Sequence, residues 1–289
     1  MFNKKADKDY TTDKLPDNRF KLFWDLYANR ISLILGVGLL CLLFLLPSFA
    51  VTIISNLKVY KINLELNSGY TTASEAASDI FATINTANLA LVPCLALLGV
   101  GVAGICGVLR RLTWQDGVLF WYDFRQSIKE NGGIFASTAA ICGGLNWATQ
   151  YCLRLQHFDN GTLAQVSLAV AIVATVLFAV VAPMLLCQSL VYKLSYFAKL
   201  KNAFMLSMRQ PLVSFGLLVG NAAPWLLLLI DNKYTFVAFL VLLPVVVMPA
   251  QLIADIICCD IVLDKYVNKD NFPQIYRKGL NYDASDNNA

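Results

Sequence analysis

The chain has 289 residues, of which 57% are hydrophobic and only 15% charged, and its mean hydropathy is +0.58. A water-soluble domain carries about a quarter charged residues, so an ordinary globular surface is excluded and lipid must cover much of this one. The net charge of +4 is modest; it suggests no nucleic-acid partner, and the placement of the charges says more than their sum.

A spanning helix needs about 20 apolar residues. In chain order, residues 1–18 are polar and are expected to form a disordered tail. Phe20, Phe23, Trp24 and Tyr27 then mark an amphipathic helix that ends at Asn29-Arg30. The first uncharged run follows at 31–55. It is too long for a signal peptide and too far from the start, so it is expected to stay as a span. Residues 56–85 form the one sizeable outer segment, with too few large apolar residues for a domain. The second run is 86–109.

A second amphipathic stretch, Asp116 to Lys129, places Leu119, Trp121, Phe124 and Ile128 near helical spacing and its charges on other faces. It leads through Asn131-Gly132-Gly133 into the third run, 132–153, which is the most polar. The fourth run is 164–192. A third amphipathic stretch with Tyr196, Phe197, Leu200, Phe204 and Met208 ends at Gln210-Pro211, and the fifth and sixth runs are 211–230 and 234–254. The polar amide before each span suits an N-cap, and Pro211 suits a first helical position. Each stretch therefore reads as an elbow that lies along the membrane surface before the chain turns into the bilayer.

Lys and Arg set the orientation. Residues 1–30 hold seven, and 110–132, 193–210 and 258–289 hold four each; the alternate connections hold only Lys58, Lys61, Arg154 and Lys233. This positive-inside bias predicts a multi-pass plasma-membrane protein with both termini cytoplasmic. The expected fold is all-α: a polytopic bundle of six transmembrane helices with three cytoplasmic elbow helices. Residues 19–257 form the membrane domain, and 258–289 form a cytoplasmic tail.

Small residues form seams on the spans: Gly99, Ala103 and Gly107; Ala139 and Gly143 beside Ala140 and Gly144; Gly216 and Gly220. Such faces let helices approach closely in lipid. The reading favoured is packing within the chain, with homo-oligomer formation as the alternative. The eight cysteines read as small buried hydrophobes, with Cys258 and Cys259 conceivable as lipidation sites.

No nucleotide-binding, zinc-protease or serine-hydrolase motif occurs. The single histidine, His157, sits in a short outer loop, and none of the six runs carries a charge. Charges inside a membrane usually mark function. No catalytic, cofactor-binding or metal-ligating residue is assigned, and no cofactor is expected. The neutral polar residues Asn146, Trp147, Gln150, Gln188 and Asn221 could line a polar cavity, although bonding across helices is the reading favoured for such side chains. Asp255 is placed at the inner end of the last span, within reach of water.

Several stretches resemble the YesL family of small bacterial integral membrane proteins of undefined activity. "FWDLYANRISLILGVGLLCLLFLLPSFAV" is similar to its opening elbow and first span, and "LALLGVGVAGICGVLRRL" to its second span. "YDFRQSIKENGGIFAS" resembles its middle elbow, with Phe124, Lys129 and Asn131 in the matching places. "LKNAFMLSMRQPLVSFGLL" resembles its elbow before the fifth span, here Lys201, Asn202 and Ala203. The resemblance implies a six-span bacterial membrane protein associated with carbohydrate uptake systems. The missing catalytic motifs, the missing intramembrane charges and the inner-face helices point to a non-enzymatic accessory protein with transporter subunits as partners. The alternative expectation is a facilitator of a small neutral solute.

Overall fold

The computed structural model describes residues 15–156, 161–230, 239 and 241–281, and among these there are helices and no strand. Helix α1 is Arg19–Asn29, α2 Ile31–Asn67, α3 Ala73–Thr113, α4 Phe120–Leu155 and α5 Thr162–Val191. Helix α6 is Tyr196–Arg209, α7 is Pro211–Ala222 followed by a 3-10 segment Ala223–Leu229, and α8 is Leu243–Asn271. His157 lies outside the described residues, as do residues 1–14 and 282–289.

Local chemistry sets the two outer elbows. The Asn18 side chain caps α1 by accepting from the Lys21 N–H at 2.8 Å. Leu22 and Leu26 then turn into the core while Phe20 and Trp24 stay exposed. Arg30 breaks the helix, and α2 starts at Ile31. At the other elbow Ser195 caps α6, and Pro211 opens α7 at an angle of 102° to α6. Neither span is capped by the expected amide. Arg30 and Gln210 occupy the cap positions without side-chain capping bonds, and Gln210 donates instead to the Tyr266 hydroxyl at 2.7 Å.

The middle elbow does not form. Helix α4 runs unbroken from Phe120 to Leu155, and Asn131 and Gly132 are buried inside it. Asp123 Oδ2 accepts from the Leu119 N–H at 2.8 Å at the start of the helix, and Arg111 pairs with Asp123 Oδ1 at 3.2 Å. Packing against α3 overrides the Asn-Gly-Gly break signal, because two helices in contact along their length gain more than a local turn preference offers.

The α3–α4 contact is the small-residue seam. An added Cβ on Gly99 would sit 2.6 Å from the Phe135 carbonyl oxygen, and one on Gly107 2.2 Å from Ser127 Cβ. The Ser127 hydroxyl donates to the Ala103 carbonyl at 2.6 Å. Gly143 uses the same interface through Val92 and Leu95, whereas Gly144, Gly216 and Gly220 face nothing within 4 Å among the described residues. On the other side of α3, Gly101 receives the ring of Phe44 from α2.

Helices α2 and α3 have 37 and 41 residues, about 55 and 60 Å at 1.5 Å per residue. A hydrocarbon core is about 30 Å thick, so the hairpin extends well beyond one. The expected outer segment 56–85 is therefore mostly helical. Its turn is a C-terminal motif with Gly69 at φ +74°, where Gly69 N–H bonds Leu66 O and Tyr70 N–H bonds Glu65 O. A reciprocal cap between Thr72 and Glu75 then starts α3.

Four helices, α2, α3, α5 and α8, are long and apolar enough to cross a membrane alone, and the bent α6–α7 pair makes a fifth if counted as one broken span. The expected count was six. Helix α4 is long enough, but Ser137, Thr138, Asn146, Thr149 and Gln150 leave its expected span too polar. The expected fifth span stops being α-helical at Ala222, because Pro224 has no N–H to continue the ladder.

The last element also departs from expectation. Part of the expected span 234–254 lies outside the described residues, and α8 continues to Asn271. Residues 258–281 are thus no tail: Cys259, Val262, Leu263 and Leu280 are buried in the core. All eight cysteines are free, and burial of Cys259 rules it out as a lipidation site. Helix α8 opens with a π turn, Leu243–Val247, whose Val246 carbonyl accepts from the Tyr27 hydroxyl at 2.8 Å. An added Cβ on Gly38 would meet the Val245 carbonyl oxygen at 2.2 Å, so α2 lies directly on this turn. Burial pushes the Tyr27 phenol above the ordinary tyrosine range.

Candidate functional site

Asn146, Trp147 and Gln150 lie close together on α4, and Asn221 lies apart from them on α7. Trp147 on α4 donates its indole N–H to Asn85 Oδ1 on α3 at 2.8 Å. The Asn221 amide donates to both oxygens of Asp255 at 3.0 and 3.1 Å, which ties α7 to α8. Asn146 is exposed and Gln150 half-buried on α4, neither with a polar partner among the described residues. The Trp147 and Asn221 side chains are thus occupied as helix-to-helix bonds, the ordinary role of such residues in lipid.

Asp255 is the charge the sequence placed outside the spans. Because α8 continues for another 16 residues, it lies within the helix rather than at its end. Gln251 adds bonds to the carbonyls of Gly220 and Asn221 at 2.9 and 3.3 Å, and the Cys187 thiol approaches the Asp255 carbonyl at 3.8 Å.

The main polar constellation lies at the basic end of the bundle, where α3 and α5 finish and α1 and α6 lie. Arg19 on α1 is buried. It bonds Asp264 Oδ2 at 2.9 Å, approaches Asp260 at 3.7 Å, and donates to the Lys278 carbonyl at 3.1 Å. Trp114, which caps α3, donates its indole N–H to Asp260 at 3.2 Å. Asn268 donates to Asp264 Oδ1 at 2.7 Å and accepts from the Tyr192 hydroxyl. The network stitches α1, the end of α3, the end of α5 and the far end of α8 together. Its carboxylates are paired and hydrogen-bonded, which is the condition for burying them.

The segment after α8 closes over this network. Gly279 takes φ +85°, and a Cβ there would sit 2.3 Å from the Thr113 carbonyl oxygen. Lys278 pairs with Asp116 at 2.9 Å, and the Asn281 N–H bonds the Pro16 carbonyl at 3.2 Å.

Beside the network opens a cavity of about 880 Å³. Its wall is built by Arg110 and Trp114 from α3, Gln188 and Tyr192 from α5, Arg209 from α6 and Tyr266 from α8. Arg110 lies over the Trp114 ring at 4.8 Å, and Arg209 over the Tyr266 ring at 5.6 Å. These cation–π contacts hold both guanidinium groups against the wall. Of this wall sequence reasoning names only Gln188, because the rest comes from several separate elements of the chain. The available signal was the clustering of Arg110, Trp114, Lys193 and Arg209 at helix ends.

No group of three or more metal-ligating side chains occurs among the described residues. Compared with known proteins, the chain matches no family model, no curated protein and no solved structure. The class defined by fold and site together is a helical bundle with several helices long and apolar enough to cross a membrane and a basic polar cavity at one end.

Proposed function

We propose that the chain is a plasma-membrane protein with six crossings and both termini cytoplasmic, acting as a non-enzymatic accessory partner of a carbohydrate uptake system. The sugar-uptake context rests on the likeness to the YesL family. Helix α4 serves as the crossing that composition alone does not select. Two of its polar side chains are bonded to neighbouring helices: Trp147 to Asn85 on α3, and the Thr149 hydroxyl to Thr175 on α5 at 2.9 Å. Polar groups satisfied in this way can be held within a bilayer. The charge bias places the basic end, with α1 and α6, on the cytoplasmic side.

The observation that carries the accessory role over a solute conduit is the dispersal of the polar residues. A conduit for a neutral sugar needs convergent polar side chains. Here Trp147 and Asn221 are engaged on separate helix pairs.

Two measurements test this. Purified protein in proteoliposomes is expected to give no saturable sugar flux. Cross-linking in native membranes, read by mass spectrometry, is expected to join α1 or α6 to the permease subunits of a binding-protein-dependent sugar transporter. Saturable flux by the protein alone overturns the reading in favour of a facilitator.

A further inference from the structure

The geometry points to the basic-end cavity as a binding site for a phosphate-bearing anion, with an anionic phospholipid headgroup as the favoured source. Charge is the first ground. Arg110, Lys193 and Arg209 line the cavity, and no Asp or Glu does. None of the three forms an ion pair among the described residues, and both arginines are held on aromatic rings. The nearby carboxylates of Asp260 and Asp264 are turned to Arg19, Trp114 and Asn268. Guanidinium and ammonium groups that face a cavity with no counter-ion are a fitting surface for phosphate oxygens.

An unpartnered donor is the second ground. Gln188 lines the cavity at 1% exposure, and its amide Nε2 has no hydrogen-bond partner. The Nε of Arg110 is likewise buried without a partner. Buried donors in folded proteins are almost always satisfied, and an anion seated between them would satisfy both.

Shape and polarity favour an amphiphile over a free ion. A volume of about 880 Å³ lies in the range of sites for sizeable organic ligands and far exceeds what one phosphate fills. The wall also runs from polar to apolar. Gln188 and Tyr192 are buried, whereas Leu194 and Met205, on the same wall, are 45% and 47% exposed. An acyl chain could leave along those residues while the headgroup stays with Arg110 and Gln188. This site stands apart from the accessory role and does not depend on it.

The test uses full-length protein in a neutral detergent. Native mass spectrometry and fluorescence titration compare phosphatidylglycerol, phosphatidylcholine and inorganic phosphate as probes. The double variant Lys193→Gln/Arg209→Gln is set beside Lys201→Gln, which removes an exposed charge on α6 outside the cavity. Phosphatidylglycerol should bind more tightly than phosphatidylcholine, and the double variant should lose about tenfold in affinity. Lys201→Gln should bind as the native protein does. Selective phosphatidylglycerol binding identifies the lipid as the source, and saturable binding of inorganic phosphate without lipid selectivity identifies the free anion. The proposal falls if neither phosphatidylglycerol nor inorganic phosphate binds. It also falls if the double variant, shown folded by its thermal transition, binds as the native protein does.

Discussion

Asn221 and Asp255 form a bonded pair across α7 and α8, with the amide nitrogen 3.0 and 3.1 Å from the two carboxylate oxygens. The carboxylate lies in a helix apolar enough to cross a membrane, and its only side-chain donors among the described residues come from this amide. Asn221→Ala should therefore lower stability by about 1 kcal/mol, the cost of leaving a half-buried acceptor unmet. Asp255→Asn removes the charge but keeps an acceptor, and should cost less. Thermal unfolding in mild detergent checks the order. If Asn221→Ala melts with the native protein, the pair contributes nothing.

Phe124 and Trp121 lie on one helix and should respond differently. Phe124 is 7% exposed, and its ring lies where a side chain on Gly104 would be; Trp121 is 56% exposed. Phe124→Ala should cost about 3–5 kcal/mol, as for a buried aromatic. Trp121→Ala should cost far less in detergent, and Arg125→Ala, on an exposed position, should be nearly silent. Equal losses for the two aromatic variants would contradict the burial pattern.

Glycines of the same sequence type divide by neighbour. Gly107→Ala drives a methyl into Ser127 and should destabilise by about 1–3 kcal/mol. Gly216→Ala points into open space among the described residues and should be neutral or slightly stabilising, since alanine favours a helix. The two melting temperatures decide. A large loss at Gly216 instead, accompanied by a change in oligomer size, would show that the Gly216–Gly220 face packs on a second copy.

Gly279→Ala should release the closing segment. The backbone there is left-handed, and a Cβ would collide with the Thr113 carbonyl oxygen. Strain of this kind costs about 1–3 kcal/mol. Trypsin should then cut after Arg277 or Lys278 at least several-fold faster than in the native protein, while the bundle remains folded. Unchanged cleavage would mean that the segment is not held by this contact.

The sequence showed most clearly what depends on neighbours in the chain. The amphipathic face of α1, the bend at Pro211 and the Gly99-Ala103-Gly107 seam all follow from helical spacing or from a single residue's geometry. Features set by distant partners were hidden. Asn131-Gly132-Gly133 reads as a break, yet α3 keeps it helical. The apolar run before Asp255 ends at Ala254, but Ile256, Ile257 and the run from Ile261 to Leu263 resume it, so the helix carries the charge inward. The candidate cavity was the least legible. Gln188 stands out in the sequence as a polar residue in a span, but Tyr266 is unremarkable until α5 and α8 are placed side by side.

The π turn at Leu243–Val247 has a consequence for how this chain can change over generations. A π turn holds one residue more than an α-helical turn of the same rise, so all that follows is rotated by about 100° relative to an unbroken helix. The turn thereby aims Asp255 at Asn221 and aims Asp260 and Asp264 at Arg19. Losing one residue between 243 and 247 would restore ordinary phase and swing all three carboxylates off their partners together. Exchanges among Leu, Val and Ile here would leave that phase untouched. Natural variants of this segment should therefore drift freely in side chain while holding their residue count fixed, so that its length is inherited more strictly than its letters.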